Sequence, residues 1–377
     1  MMKIGILTQP LHTNYGGLLQ AYALQTVLKR MGHEPWIVRR VPAGRSRFRQ
    51  SLYNVVKVLL GRKPYYMMNI SESEYVAKNV RIFRDKYIDP VTPLLDSTAK
   101  LSARTLTDDY DAFVVGSDQV WRPVYSPCIT NYFLDFAEGR DVRRIAYAAS
   151  FGVDHWEFGP GDTNACARLA RQFDAISVRE DSACELCKNY LGVDALHVLD
   201  PTMLLEAADY ERIVKAENEP PCEGDLFCYV LDEAPEKAAV LKDMVARQGL
   251  TPFTSMPRLR FSRENFSADA ESCVFPRVTR WLRSFMDARM VLTDSFHGCV
   301  FSIIFNKPFW VIRNEGRGVA RFHSLLGMYG LENRLITPDK APHIAYDAPI
   351  DWETVNGKRR AYQTRSLDFL TNSLHHE

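Results

Sequence analysis

A polar cluster with a single histidine, Asp294-Ser295-Phe296-His297-Gly298, separates the apolar runs RMVLTD and CVFSIIF. The first run is typical of a buried strand and the second of a helix, so the cluster spans a strand-to-helix turn that Asp294 or Ser295 caps. An imidazole there faces the carboxyl end of the strand, and histidine titrates near neutral pH. The position favours His297 as a proton carrier. The alternative is a core histidine satisfied by its neighbours.

A second candidate site is the loop TQPLHTNYGGLLQ at 8–20, which follows the first predicted strand. Two glycines let the backbone approach a ligand closely, and the following helix N-terminus favours an anion. The loop matches neither the dinucleotide-binding nor the Walker pattern. It contributes the candidate binding residues Asn14, Tyr15, Gly16 and Gly17, and the alternative is a tight turn with an asparagine cap.

The segment VVGSDQVWRP at 114–123 also follows a predicted buried strand. A carboxylate and an amide can hold sugar hydroxyls while an indole packs on the sugar ring. We therefore expect Asp118, Gln119 and Trp121 to bind a sugar. A helix cap with Trp121 in the core is the alternative.

Arginines form the candidate anion site. Arg179 ends the strand SVRE beside a helix N-terminus, where a guanidinium suits phosphate or carboxylate; the alternative is an ion pair with Glu180. Arg313, Arg317 and Arg321 lie within nine residues and suit a multiply charged anion, unless they are a solvated surface cluster. Asp200, in VLDPT, is interpreted only as a strand terminator.

The elements that must position these residues alternate between short apolar runs and helical patterns, which indicates an α/β fold with parallel sheets. The stretch KAENEPPCEG at 215–224 interrupts the alternation and is the predicted linker. We expect two Rossmann-like domains facing a cleft, because ligands collect at the carboxyl ends of such strands. The first covers 1–214 and the second 215–350. A terminal helix in 351–377 packs back on the first domain.

The composition limits the class of protein. The chain has 377 residues and a formal net charge of +1, which argues against a dedicated nucleic-acid binder. Without a targeting signal or a long apolar run, we expect a cytoplasmic protein with reduced cysteines. The pair Cys184 and Cys187 has no second pair at zinc-site spacing, and we expect no metal.

Segment 39–63 has eight basic and no acidic residues. It predicts peripheral contact with the inner face of a membrane, or a solvated helix face.

Six motifs in order, NYGGLLQAYALQ, VVGSDQVW, SVRE, VLDPT, TDSFHG with FSIIFNKPF, and RGVARF, resemble the polysaccharide pyruvyl transferase family. The resemblance implies a fold like the GT-B glycosyltransferases and phosphoenolpyruvate as co-substrate, with no cofactor. It implies a pyruvate ketal across two hydroxyls of a sugar in a cell-surface glycan, and it makes His297 the catalytic histidine. Where relatives carry Arg-Leu-His, this chain has Ser295-Phe296-His297. Donor binding is therefore expected from Arg179, Arg313, Arg317 and Arg321, with Ser295.

The resemblance also leads to an expected mechanism. His297 protonates the donor, and Asp294 or Asp118 takes the hydroxyl proton. With this mechanism, we expect the first domain to bind the acceptor and the second to bind phosphoenolpyruvate. The basic segment favours a lipid-linked sugar acceptor. Two alternatives remain: a GT-B glycosyltransferase that uses a nucleotide sugar, and a non-catalytic relative in a glycan-assembly complex.

Overall fold

A computed structural model describes residues 1–43, 68–314 and 318–375. Its first sheet has six parallel strands in the order β2-β1-β3-β4-β5-β6. Strands β1, β3 and β4 lie mostly buried, as expected for a sheet covered by helices on both faces. The strands are β1 (Lys3–Leu7), β2 (Glu34–Val38), β3 (Ala112–Val115), β4 (Arg143–Ala149), β5 (Ala175–Val178) and β6 (Leu196–His197).

The second sheet has five parallel strands in the order β11-β10-β9-β7-β8. Its central strands are fully buried, whereas the edge strands are only two residues long. The strands are β7 (Leu226–Tyr229), β8 (Pro252–Phe253), β9 (Met290–Thr293), β10 (Phe309–Ile312) and β11 (Leu335–Ile336). The two sheets confirm the predicted α/β class with two parallel-sheet domains.

Helices connect the strands. Those before the second sheet are α1 (Tyr15–Arg30), α2 (Ile70–Val76), α3 (Lys78–Tyr87), α4 (Thr98–Thr107), α5 (Pro160–Ala170), α6 (Asp181–Leu186) and α7 (Ala207–Ala216). Those after it begins are α8 (Pro235–Gln248), α9 (Arg263–Ala268), α10 (Val278–Asp287), α11 (Phe296–Ile304), α12 (Ala320–Tyr329) and α13 (Trp352–Leu374). The predicted linker, 215–224, overlaps the irregular stretch between α7 and β7.

The hydrophobic core continues from one domain into the other. One cluster of buried side chains contains Ile4 and Leu24 of the first domain together with Phe227 and Val291 of the second. Tyr15 contributes to this continuity because its ring stacks on Trp281 with 5.7 Å between the ring centres. Burial of apolar surface therefore helps to hold the domains in their relative positions.

The terminal helix packs back on the first domain, as predicted. In α13, Gln363 donates a hydrogen bond to the carbonyl of Leu204, and the Ser366 hydroxyl accepts one from the backbone of Leu199. The ring of Phe369 lies 6.2 Å from that of Tyr147 on β4. The helix thus covers the face of the first sheet near β4 and β6.

Most of the basic segment 39–63 falls in 44–67, outside the described residues, so its contact with a membrane stays a prediction. Within the described ranges, no helix combines the length and the apolar character needed to cross a membrane. All eight cysteines are free, including Cys184 and Cys187.

Candidate active site

A cavity of about 550 Å³ lies between the two domains, at the carboxyl ends of the strands. The loops after β1, β3, β7, β8 and β9 line it, together with the start of α12. A larger depression, of about 810 Å³, lies beside α13 at the amino ends of β4, β5 and β6. Ligands of open parallel sheets bind at the carboxyl ends of the strands, so the interdomain cavity is the candidate site.

His297 lies in this cavity at the beginning of α11. Ser295 is the N-cap of the helix, and its hydroxyl accepts a hydrogen bond from the Gly298 amide at 3.4 Å. The His297 residue is only 6% exposed, and its Nε2 is 3.5 Å from Oδ2 of Asp200. Asp200 follows β6, so the histidine and its carboxylate come from different domains.

Asp200 is held in its ionised form. Burial by itself would raise its pKa, but contact with His297, and then with Arg179 and the Thr202 hydroxyl, holds the pKa well below its ordinary value. Thr202 donates to Oδ1 of Asp200 at 2.7 Å, which leaves Oδ2 toward His297 and Arg179. The imidazole therefore lies against a fixed negative charge.

The glycines after β1 allow a close approach, but to His297. A Cβ added at Gly16 would overlap the imidazole ring, so α1 can reach the histidine only with glycine at this position. Asn14 caps α1 by accepting from the Gly17 amide at 3.1 Å, and its Nδ2 donates to Asp118 at 3.3 Å. The predicted cap and the predicted cavity position of Asn14 therefore occur together.

Arg179 does not present its charge to the cavity as expected. Its side chain is 1% exposed and lies 3.0 Å from Asp200, 3.3 Å from Glu180 and 3.7 Å from Asp118. Burial disfavours the charged guanidinium, yet these carboxylates raise its pKa overall. Because three carboxylates surround one cation, the prediction of Arg179 as a donor clamp is corrected: the alternative, an internal ion pair, describes it.

The structure describes two of the three arginines at 313–321, and it places them differently. Arg321 lines the cavity, where burial and the charge of Arg179 lower its pKa to about 10, so it remains a cation at neutral pH. Arg313 is exposed and is not among the described residues that line the cavity. Arg317 lies outside the described residues. The structure therefore places Arg321 at the site and Arg313 away from it.

Asp294 is not placed as a base. It is fully buried and accepts from the Leu231 amide at 2.6 Å, from Nζ of Lys237 at 2.5 Å and from Nδ2 of Asn314 at 3.1 Å. These donors occupy the carboxylate. Its observed role is to hold the loop after β7 against the loop that carries His297.

Two predicted acceptor residues belong to the core. Trp121 is fully buried, stacks on Phe133 at 4.8 Å, and donates from Nε1 to the carbonyl of Tyr132 at 2.9 Å. Tyr15 is fully buried, and its hydroxyl donates to the carbonyl of Pro276 at 2.8 Å. Neither ring offers a face or a hydroxyl to a sugar, so both predictions are wrong.

Asp118 and Gln119, by contrast, line the cavity as predicted. Oδ1 of Asp118 accepts from the Gln119 amide at 2.9 Å, which fixes the turn after β3. Together with Asn14 they form a polar wall on the first-domain side. This wall is suited to sugar hydroxyls, which need both donors and acceptors.

The residues that sequence reasoning missed are Asp200, as the partner of His297, and Arg260 with Glu233 at the cavity rim. Asp200 could have been found, since it follows a predicted strand just as Asp118 does. Arg260 could not be found in this way, because it lies in an irregular loop several residues after the two-residue strand β8.

Two parallel-sheet domains that enclose a cleft define the GT-B class of fold. Within that class the chain belongs to the polysaccharide pyruvyl transferase family, whose sequence pattern matches residues 14–316. A comparison with curated proteins gave no significant match.

Solved structures share the fold. The chain is similar to UDP-GlcNAc 2-epimerase from Methanocaldococcus jannaschii, with a TM-score of 0.52, 13% identity, and coverage of 99% of this chain and 100% of that one. It is similar to UGT89C1 from Arabidopsis thaliana complexed with UDP-L-rhamnose, with a TM-score of 0.53, 10% identity and 99% coverage of both chains. For S. aureus MnaA with UDP the TM-score is 0.51 at 14% identity, with 99% of this chain and 97% of that chain covered. At these identities the likeness concerns the fold alone.

Proposed function

We propose that this protein transfers the pyruvyl group of phosphoenolpyruvate onto two hydroxyls of a sugar, forming a pyruvate ketal during cell-surface polysaccharide biosynthesis. Membership in the pyruvyl transferase family supports the reaction class. The observation that carries the proposal is His297, which lines the interdomain cavity against Asp200. A histidine fixed beside an ionised carboxylate can exist as imidazolium and act as a general acid.

The reaction begins with proton transfer from the His297 imidazolium to the methylene carbon of the donor. The C3–H bond forms as the C2=C3 double bond breaks, and positive charge develops at C2. General acid catalysis of this kind contributes about 10²–10⁴-fold in rate. Asp200, whose Oδ2 lies 3.5 Å from Nε2 of His297, stabilises the imidazolium before the transfer.

A sugar hydroxyl then attacks C2. Asp118 is the carboxylate of the polar wall that it forms with Asn14 and Gln119, and it takes the proton of this first hydroxyl. The C2–O bond to phosphate breaks next, the second hydroxyl oxygen bonds to C2, and its proton leaves on the phosphate. Return of the Asp118 proton to His297 through solvent restores the starting state.

The donor is an anion, and the site contains features that favour anions. Arg321 is a cation at the cavity. The N-termini of α1 and α11 both face the cavity, because their cap residues, Asn14 and Ser295, line it. Helix N-termini attract negative charge through their unpaired amides and the helix dipole.

His297→Ala tests the proposal. We expect turnover of phosphoenolpyruvate to fall below detection while donor binding, measured by calorimetry, stays within a few-fold of wild type. His323→Ala is the matched control, because His323 is exposed on α12. Wild-type turnover in His297→Ala would refute the assignment.

Thermal unfolding with candidate donors separates the proposal from its alternatives. A ligand at about 100 times its dissociation constant stabilises the folded protein by about 2.7 kcal/mol. We expect this shift with phosphoenolpyruvate. A shift only with nucleotide sugars would instead identify a glycosyltransferase. Binding of phosphoenolpyruvate without turnover with any sugar acceptor would favour a non-catalytic relative.

A further inference from the structure

Of the predicted donor-binding arginines that the structure describes, Arg321 lines the cavity, whereas Arg179 and Arg313 do not. Phosphoenolpyruvate brings a phosphate and a carboxylate, yet Arg179 is surrounded by carboxylates. Among the described residues that line the cavity, the arginines are Arg260 and Arg321. Arg321 is deep in the cavity and only 7% exposed. Arg260 is at the rim, where an incoming anion meets it first.

Arg260 is held in place by two contacts that leave it half exposed. Its Nη2 donates to the carbonyl of Leu231 at 2.6 Å, and its Nε lies 3.0 Å from Oε1 of Glu233. The Arg260 side chain is 49% exposed and that of Glu233 is 81% exposed. An ion pair so open to water is weak, so exchanging its carboxylate for another anion costs little.

The hydrogen bond to the Leu231 carbonyl connects Arg260 to the loop that leads to His297. The amide of Leu231 donates to Asp294, which directly precedes Ser295, the cap of the helix that carries His297. The guanidinium is thus attached to the backbone that borders the proposed general acid. Its hydrogen bond to Leu231 can persist when Glu233 leaves, which keeps the remaining N–H groups directed for a bidentate contact with phosphate.

We propose that Arg260 binds the phosphate of the donor, and that Glu233 occupies the guanidinium until the donor displaces it. This inference rests on the proposed function and names a cation that binds the phosphate of its donor. Arg260 is a binding residue in this scheme, and it makes or breaks no covalent bond. Glu233 acts as a competing anion, so the two residues should have opposite effects on affinity.

The test is a double-mutant cycle that measures the affinity for phosphoenolpyruvate and for inorganic phosphate. We expect Arg260→Gln to weaken both about tenfold. Glu233→Gln should tighten both about threefold. In the Arg260→Gln background, Glu233→Gln should have no effect, because the residue it frees is gone.

Two further variants keep the test decisive. Arg258→Gln is the control, since Arg258 is exposed in the same loop and is not among the described residues that line the cavity; its affinities should equal those of wild type. Arg260→Lys keeps the charge and should retain part of the affinity, which a general loss of folding would not allow.

The outcomes separate this inference from the proposed function. If phosphoenolpyruvate is turned over but Arg260→Gln leaves its KM unchanged, the inference about Arg260 is overturned and the reaction stands. If phosphoenolpyruvate is neither bound nor turned over, the proposed function fails. The affinity for inorganic phosphate then tests by itself whether Arg260 binds a phosphate group. An Arg260→Gln protein that binds inorganic phosphate as wild type does would then overturn the inference as well.

Discussion

The two domains present buried charge to the cleft in different ways. In the first domain, Arg179 lies among Asp118, Glu180 and Asp200, so one cation is shared by three carboxylates. In the second domain, among the described residues, the cation that contacts Asp294 is Lys237, at 2.5 Å, and the other hydrogen bonds to Asp294 come from amides. Three carboxylates around one guanidinium carry a net negative charge, whereas the charges of Asp294 and Lys237 cancel.

The difference separates a functional network from a structural one. Asp200, one of the carboxylates around Arg179, also contacts His297 across the domain boundary, whereas Asp294 and its partners join two loops of one domain. The proposed general acid and the carboxylate that stabilises it therefore meet only when the domains are packed as observed. We expect changes in the first network to affect catalysis and changes in the second to affect stability.

The largest expected effect is on stability, from Lys237→Met. The side chain of Lys237 is 10% exposed, and its loss removes the cation that contacts the buried Asp294 carboxylate in the described part of the chain. Breaking a buried ion pair by removing one partner costs about 3–5 kcal/mol. We expect a loss of that size in the free energy of unfolding, measured by urea denaturation.

Lys242→Met on the same helix is the control, because Lys242 is exposed and its loss should change stability little. If Lys237→Met were as stable as wild type but inactive, the separation between the two networks would be wrong.

Asp200→Asn should act mainly on catalysis. The amide cannot stabilise an imidazolium as a carboxylate does, so we expect kcat to fall about 100-fold while the KM for phosphoenolpyruvate changes little. Asp194→Asn is the control, since Asp194 is exposed just before the other end of β6. A variant with unchanged kcat would remove Asp200 from the mechanism.

Asp200 also predicts a dependence of stability on pH. His297 and Arg179 outweigh the effect of burial and hold its folded-state pKa below the value of about 3.9 expected when unfolded. A depressed carboxyl pKa stabilises the fold above the unfolded pKa, and this contribution is lost as the pH falls. The difference in unfolding free energy between wild type and Asp200→Asn should narrow as the pH falls below about 4. A constant difference down to pH 3 would contradict this.

The smallest expected effect comes from Trp121→Phe. The substitution removes the hydrogen bond to the Tyr132 carbonyl, and leaving a buried carbonyl without its donor costs about 1–2 kcal/mol. Because the indole is in the core, the KM for the sugar acceptor should not change. A several-fold rise in that KM at full stability would restore Trp121 to the acceptor site.

Much of the fold could be predicted from local patterns. The run AFVV of β3 and the apolar helix after His297 have the periodicity of buried strand and helix, and the predicted terminal helix begins at Trp352. The short strands β6 and β8 were harder to delimit, because two residues carry little periodicity. Because His297, Asp118 and Gln119 follow predicted strands, they were expected at one cleft, and all three line the same cavity.

The sequence by itself determined which residue types follow each strand, because strand ends, caps and glycines are local properties of the chain. It did not determine which of those residues remain open to a ligand. Arg179 and Trp121 have suitable chemistry, but tertiary contacts with distant residues occupy the charge of the one and the ring of the other. The pairing of His297 with Asp200 was likewise decided only by tertiary structure, since it joins residues 97 positions apart across the two domains. Electrostatic and packing energies depend on distance in space, and the spacing of residues in sequence does not determine that distance.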